Sequence, residues 1–229
     1  MTHIAHEYAH EYAHESAKIL LDTKSVLFNA REPFTFTSGR ISPVYVDCRR
    51  LISFPRERGI LMDFGAQMLR AACPDLEYCA GGETAGIPYA AFMAERLNLP
   101  MLYVRKKPKG FGRMAQIEGV MDEPGKKVIL IEDLQTDGGS KKVFIDALRA
   151  AGAVVEHSFV VFHYGIFPAS LENMNAMGVK LHALTTWWDV LAVARAHQYF
   201  DEETLNSVEA FLNAPDKWAE DNKHLVKSA

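Results

Sequence analysis

The sequence predicts an α/β protein: a central, mostly parallel sheet flanked by helices, with a small N-terminal cap or hood. Three observations lead there. From Pro55 onward, short apolar runs alternate with longer segments of helical period, the pattern of strands buried on both faces and joined by crossover helices. Two runs lead into glycine-containing polar turns, Gly81-Gly82-Glu83-Thr84-Ala85-Gly86 and Thr136-Asp137-Gly138-Gly139-Ser140. With 229 residues, 48% of them hydrophobic, the chain can bury one full core. We expect a single domain over residues 1–229, with an N-terminal helix and hood over about 1–54, an α/β core over about 55–185 and closing helices over about 186–229.

The elements follow in order. Ala5 to Ser16 repeats a four-residue His/Glu/Tyr/Ala unit, which on a helix lines up His6, His10 and His14. A solvated helix running on through Leu21 is the simpler reading of that stripe, since no second set of metal ligands accompanies it. Pro33 and Phe34 to Gly39 suggest a strand and turn, and Val44 to Asp47 a second strand. A helix over Arg58–Ala72 leads to a strand at Leu76–Ala80, a turn at Gly81-Gly82 and a helix over Ala85–Leu97. Strand Met101–Val104 precedes a basic segment, Arg105 to Gly119, without periodicity. Strand Val128–Ile131, helix Lys141–Ala151, strand Val154–Phe162, a helix near Ala169–Met177 and strand Val179–Leu184 complete the alternation. Trp187–Ala196 and Glu202–Leu212 read as closing helices.

Composition narrows the function. A formal charge of −4 gives no general attraction to nucleic acid or membrane, so any anion site must be local. Three cysteines, Cys48, Cys73 and Cys79, lack metal-type spacing and are odd in number, which fits a reducing cytoplasm. No apolar run nears the ~20 residues that span a bilayer, and the His/Glu-rich start is unlike a signal peptide. Neither a dinucleotide G-x-G-x-x-G nor a P-loop motif is present.

The segment Val128 to Ser140 carries the most chemistry. An apolar run delivers Glu132 and Asp133 to a turn in which Gly138 and Gly139 let backbone N–H groups approach an anion, while Thr136 and Ser140 add hydroxyls and the next helix adds its N-terminus. Two adjacent carboxylates repel a phosphate; they suit vicinal ribose hydroxyls, or Mg2+ held directly or through water. Taken alone, the segment is equally an ordinary strand-to-helix turn. Arg105 to Arg113 adds five cations and two glycines in nine residues. A cationic, glycine-hinged loop on the same sheet suits a diphosphate leaving group. Ligands of such sheets bind beyond the carboxyl ends of the strands, so neighbouring strands would bring the Gly81, Arg105 and Glu132 loops to one cleft.

Together these segments resemble the type I phosphoribosyltransferases, and among them the orotate phosphoribosyltransferases of pyrimidine synthesis. The likeness is carried by Phe34 to Arg49 (F-T-F-T-S-G-R-I-S-P-V-Y-V-D-C-R), Gly81 to Ala90 (G-G-E-T-A-G-I-P-Y-A), Tyr103 to Gly119 (Y-V-R-K-K-P-K-G-F-G-R-M-A-Q-I-E-G) and the acidic loop. The resemblance implies transfer from 5-phosphoribosyl 1-diphosphate (PRPP) to orotate, a requirement for Mg2+ and a homodimer whose basic loop completes the neighbouring site. It implies Lys109 and Asp133 as catalytic residues. PRPP would be held by Arg105, Lys106, Lys109, Glu132, Asp133, Thr136, Asp137, Gly138, Gly139 and Ser140. Metal would be held mainly through PRPP, with Glu132 or Asp133 contributing. Phe36, Arg40 and Tyr164 are candidates for the base.

Several positions depart from the family pattern. Phe111 stands where the loop usually has His, and Asp137 where a small residue is common. A carboxylate beside a phosphate repels it, so Asp137 is expected to turn away or cap the following helix. Thr37 and Ile41 replace frequent lysines, and His163-Tyr164 replaces an Asp-Arg pair. The alternatives are transfer to another nucleobase or a non-catalytic PRPP-binding regulator. A regulator would commonly carry a DNA-binding domain, for which the short acidic N-terminus has no room. A receiver domain phosphorylated on Asp133 would leave the glycines and the basic loop unexplained.

Overall fold

A computed structural model describes residues 3–36, 39–108 and 116–225. The chain forms two compact units, Met1–Phe54 with Thr185–Ala229, and Pro55–Leu184. The first begins with α1 (His3–Asp22). Four short strands follow: β1 (Val26–Phe28), β2 (Phe34–Thr35), β3 (Ile41–Ser42) and β4 (Val44–Val46). They pair antiparallel as β1 with β4 and β2 with β3. Two of these, β1 and β3, have no counterpart among the strands expected from the sequence. A 3₁₀ turn, Cys48–Ser53, is capped by Asp47, whose carboxylate accepts from Arg49 N.

In the second unit, α2 (Pro55–Ala72) buries Leu61, Met62, Ala66 and Leu69, the stripe expected of a helix laid on a sheet. It leads to β5 (Tyr78–Gly82), α3 (Gly86–Leu97), β6 (Met101–Val104), β7 (Ile117–Glu118), β8 (Lys127–Gln135), α4 (Lys141–Ala150), β9 (Val154–His163), α5 (Pro168–Ala176) and β10 (Lys180–Thr186). The six strands are ordered β10-β9-β8-β5-β6-β7. β5 pairs parallel with β6 and β8, and β8 parallel with β9, whereas β7 is antiparallel to β6. On one face Val128, Leu130, Val155 and Leu102 pack with Phe144, Ile145 and Leu148 of α4. Each such side chain, removed from water, contributes about 1.5–3 kcal/mol. Back in the first unit, α6 (Trp187–Ala196), α7 (Glu202–Asn213) and α8 (Pro215–Asp221) close the chain. Thr186 and Asp189 form a capping box on α6.

Three differences from the sequence expectation bear on the strand ends. Gly81 and Gly82 are the last residues of β5, not a turn, because Gly82 pairs in register with Val104. The strand expected to stop at Ile131 continues to Gln135, so Glu132 and Asp133 belong to a strand end, not to a loop. The segment read as aperiodic contains β7, two residues held against β6. Among the described residues no helix is long and apolar enough to cross a membrane.

Candidate active site

Because β8 lies between β9 and β5, and β5 between β8 and β6, the carboxyl ends of four strands stand side by side. Gly81 pairs with Ile131, Gly82 with Val104 and Gln135 with His163. The three turns singled out in the sequence therefore leave one edge of one sheet. Backbone and side chain tie two of them together: Glu83 N donates to Val104 O at 2.9 Å, and Lys106 N donates to Glu83 Oε2 at 2.7 Å.

Alternation along β8 sends Glu132 and Asp133 to opposite faces. Glu132 lies on the α4 face, across two positions that have no side chain. A Cβ at Gly82 would sit 1.8 Å from Glu132 Oε1 and 2.7 Å from the Phe144 ring, and one at Gly86 would sit 2.6 Å from the same oxygen. Glycine is required there because the carboxylate fills the space. Glu132 Oε1 is buried and has no hydrogen-bond partner among the described residues. Burial pushes its carboxyl up to about 7, with Lys141 pulling it down and Asp133 pushing it up. Asp133 is 7% exposed.

Lys141 is 2% exposed, and its Nζ donates to Leu134 O at 3.1 Å. Burial lowers its pKa, and the carboxylates of Glu132, Asp133 and Asp137 oppose that shift. Charged lysine is almost never buried without compensation. Here the compensation is the acidic cluster at the strand end, which in turn needs a cation. The doublet Lys141-Lys142 resembles a solvated helix start, yet Lys141, Phe144, Ile145 and Leu148 share the buried face of α4. That i, i+3, i+4, i+7 spacing was the available signal.

Beyond Gln135 the chain turns through Thr136, Asp137, Gly138, Gly139 and Ser140 into α4. Gly138 adopts φ +80°, a conformation that favours glycine. Asp137 does not cap the helix. Its Oδ1 accepts from Gly139 N at 3.0 Å, an Asx turn within the loop itself, while Asn173 Nδ2 donates to Asp137 O at 2.9 Å. Ser140 begins α4 without a side-chain cap. A cavity of about 400 Å³ lies between this turn and α5, lined by Gly138, Gly139, Lys142, Arg149 and Asn173. Under the turn, Gln135 Nε2 and His163 Nε2 both meet Ser170 Oγ at 2.8 Å. Sequence reasoning gave neither Gln135 nor Ser170 a role, because nothing in the pattern marks a buried polar triad.

No family model matches the chain. Its curated relatives are more informative. An orotate phosphoribosyltransferase of Dinoroseobacter shibae is 59% identical over 210 residues, covering 91% of this chain and 92% of that one. The enzyme of that name from Sinorhizobium fredii is 59% identical over 208 residues, covering 90% and 89%. The chain belongs to the orotate phosphoribosyltransferase family. Among solved structures, the orotate phosphoribosyltransferase of Aeropyrum pernix superposes with a TM-score of 0.67 at 30% identity, over 81% of this chain and 99% of that one.

For an orotate phosphoribosyltransferase, the remaining expected residues are placed as follows. Arg105 continues the β6–β7 hairpin: its N donates to Gln116 O at 2.7 Å, and its Nη1 lies 3.5 Å from Glu118 Oε1. Lys109 and Phe111 lie outside the described residues, as does Thr37. Phe36 and Arg40 belong to the first unit, where the Phe36 ring lies 6.3 Å from that of Tyr45 and Arg40 pairs with Asp216. Ile41 is buried in β3. Tyr164 belongs to the second unit; its N donates to Gln135 O at 2.9 Å, and its ring stacks on Phe167 at 6.0 Å.

Proposed function

We propose that this chain transfers the 5-phosphoribosyl group of PRPP to orotate, giving orotidine 5′-monophosphate and diphosphate in pyrimidine synthesis. The observation that carries the reading is the acidic pair at the end of β8, buried Asp133 and Glu132 with its buried Oε1, beside a glycine turn and a cationic hairpin on the same sheet edge. Orotate phosphoribosyltransferases 59% identical along nine-tenths of the chain support the same substrate.

In the reaction, the bond from C1′ to the diphosphate oxygen breaks as N1 of orotate, its proton gone to solvent, forms the C1′–N bond. Asp133 and Glu132 accept hydrogen bonds from the ribose hydroxyls and balance the positive charge that grows on the ring. The N–H groups and hydroxyls from Thr136 to Ser140 cradle the 5′-phosphate. Arg105, Lys106 and Lys109 engage the diphosphate, and Lys109 stabilises its departure. Phe36, Arg40 and Tyr164 are assigned to the base.

Mg2+ fits the donor set. It takes oxygen ligands and usually shares them between one or two carboxylates and substrate phosphates; Glu132 and Asp133 supply the former, one with an unpartnered oxygen. When bound, the ion neutralises diphosphate charge. A homodimer, with the basic loop completing the neighbouring site, belongs to the same reading. So does a cytoplasmic location, consistent with three buried cysteines that form no disulfide.

A second reading, transfer to another nucleobase, is favoured by Ile41, which is buried where a lysine is frequent, and by His163, which is buried and held by Ser170. Incubating the chain with PRPP, Mg2+ and orotate, adenine, hypoxanthine or uracil tests both. Consumption of orotate alone supports the proposal, and consumption of another base alone refutes it.

A further inference from the structure

Away from the acidic site, Cys73, His157 and His182 point their ligand atoms at one another, all within 4.8 Å. Cys73 follows the last turn of α2, its N donating to Leu69 O at 2.8 Å. His157 lies on β9 and His182 on β10, neighbouring strands at the sheet edge. Cys73 and His182 are buried at 3% and 6% exposure, and His157 is partly accessible. His182 Nε2 is 3.0 Å from His157 Nδ1 and 3.5 Å from Cys73 Sγ.

A ring nitrogen carries one in-plane lone pair or one proton. His182 Nε2 therefore cannot form a full hydrogen bond with both neighbours. A tetrahedral ion removes the conflict by giving each atom its own bond. Zinc binds imidazole nitrogen at about 2.0–2.1 Å and thiolate at about 2.3 Å, which places adjacent ligands about 3.3–3.6 Å apart. The two separations in the cluster, 3.0 and 3.5 Å, are close to those values.

We propose that Cys73, His157 and His182 form a zinc site that clamps the end of α2 to β9 and β10. The thiol proton leaves to solvent as the S–Zn bond forms, and water completes the fourth position. A thiolate with two imidazoles selects a soft or borderline ion over Mg2+, so the site is separate from any metal brought by PRPP. Asp75 and Glu156, near His157, offset Lys127 and Lys180. His157 stands six residues before His163 on β9, about 20 Å along the strand from the ligand-binding edge. The site therefore holds the fold together without touching the reacting groups.

Cobalt titration of the metal-stripped full chain, with Mg2+ in excess, tests this. We expect one equivalent of Co2+ per chain, an intense tetrahedral visible spectrum and a near-ultraviolet thiolate-to-cobalt band, all displaced by Zn2+. Cys73→Ser should abolish the thiolate band, whereas Cys48→Ser and Cys79→Ser should keep it. His182→Gln should weaken binding at least about 10-fold, the scale set by losing even an outer-shell partner. Folded wild-type chain that takes up no stoichiometric Co2+, or whose spectrum lacks the thiolate band, overturns the proposal without recourse to any variant. Retention of the band in Cys73→Ser does so as well.

Discussion

Replacing Glu132 by Gln separates what the fold needs from what the ligand needs. The wild-type carboxyl ionises at about 7 in the folded chain against an ordinary 4.5, chiefly because it is buried. The folded value is raised, so folding favours the protonated form, and stability present below pH 4.5 is lost as pH rises to about 7. At 1.36 kcal/mol per pH unit, full ionisation costs up to about 3 kcal/mol, reduced to about 2 by partial solvent contact. Glutamine keeps the shape and remains neutral. In metal-free buffer the variant should match wild type near pH 4.5 and melt above it by about 4–12 °C at pH 8, taking about 2–4 °C per kcal/mol for a chain of this length. Its kcat/KM should fall roughly 10- to 100-fold, the loss of a hydrogen bond to a charged group of about 1.5–3 kcal/mol. A melting difference independent of pH, or a variant less stable than wild type at pH 8, would refute the assignment of a strained, ligand-awaiting carboxylate.

Three further outcomes are expected. Lys141→Met removes the cation beside the acidic pair, so Glu132 should ionise above about 7 and the acidic limb of the kcat/KM profile should move to higher pH; an unchanged profile would remove Lys141 from the site's electrostatics. Asp137→Asn keeps an oxygen to accept from Gly139 N while deleting a charge beside the phosphate turn, and should tighten PRPP binding a few-fold by calorimetry. Weaker binding would show the charge is useful. Lys109→Ala should lower kcat far more than it raises the PRPP Kd, since its role lies mainly in the transition state; equal effects on both would assign it to ground-state binding.

Much of the core was legible because its signals are local. The period of α2, the apolar runs of β6, β8 and β9, and the glycines after β8 each announced themselves. The errors at strand ends have one cause. Sequence treats Glu132, Asp133, Gly81 and Gly82 as loop formers by their chemistry, whereas parallel pairing carries the ladder through them. No residue pattern shows that the missing side chain of Gly82 makes room for Glu132, fifty positions away, nor that Lys141 is inside. The first unit was read only in part: β2 and β4 coincide with the expected strands at Phe34 and Val44, whereas β1 and β3, of three and two residues, carry no period. The Cys73, His157 and His182 cluster was invisible because its members come from three separate stretches of the chain.

The most direct test of the account is orotate turnover. With PRPP and Mg2+, the chain should consume orotate in equal amount to the diphosphate released, leave adenine, hypoxanthine and uracil untouched, and lose most of that activity in Glu132→Gln while remaining folded. Turnover of a different base with none of orotate, or PRPP binding without any turnover, would contradict it.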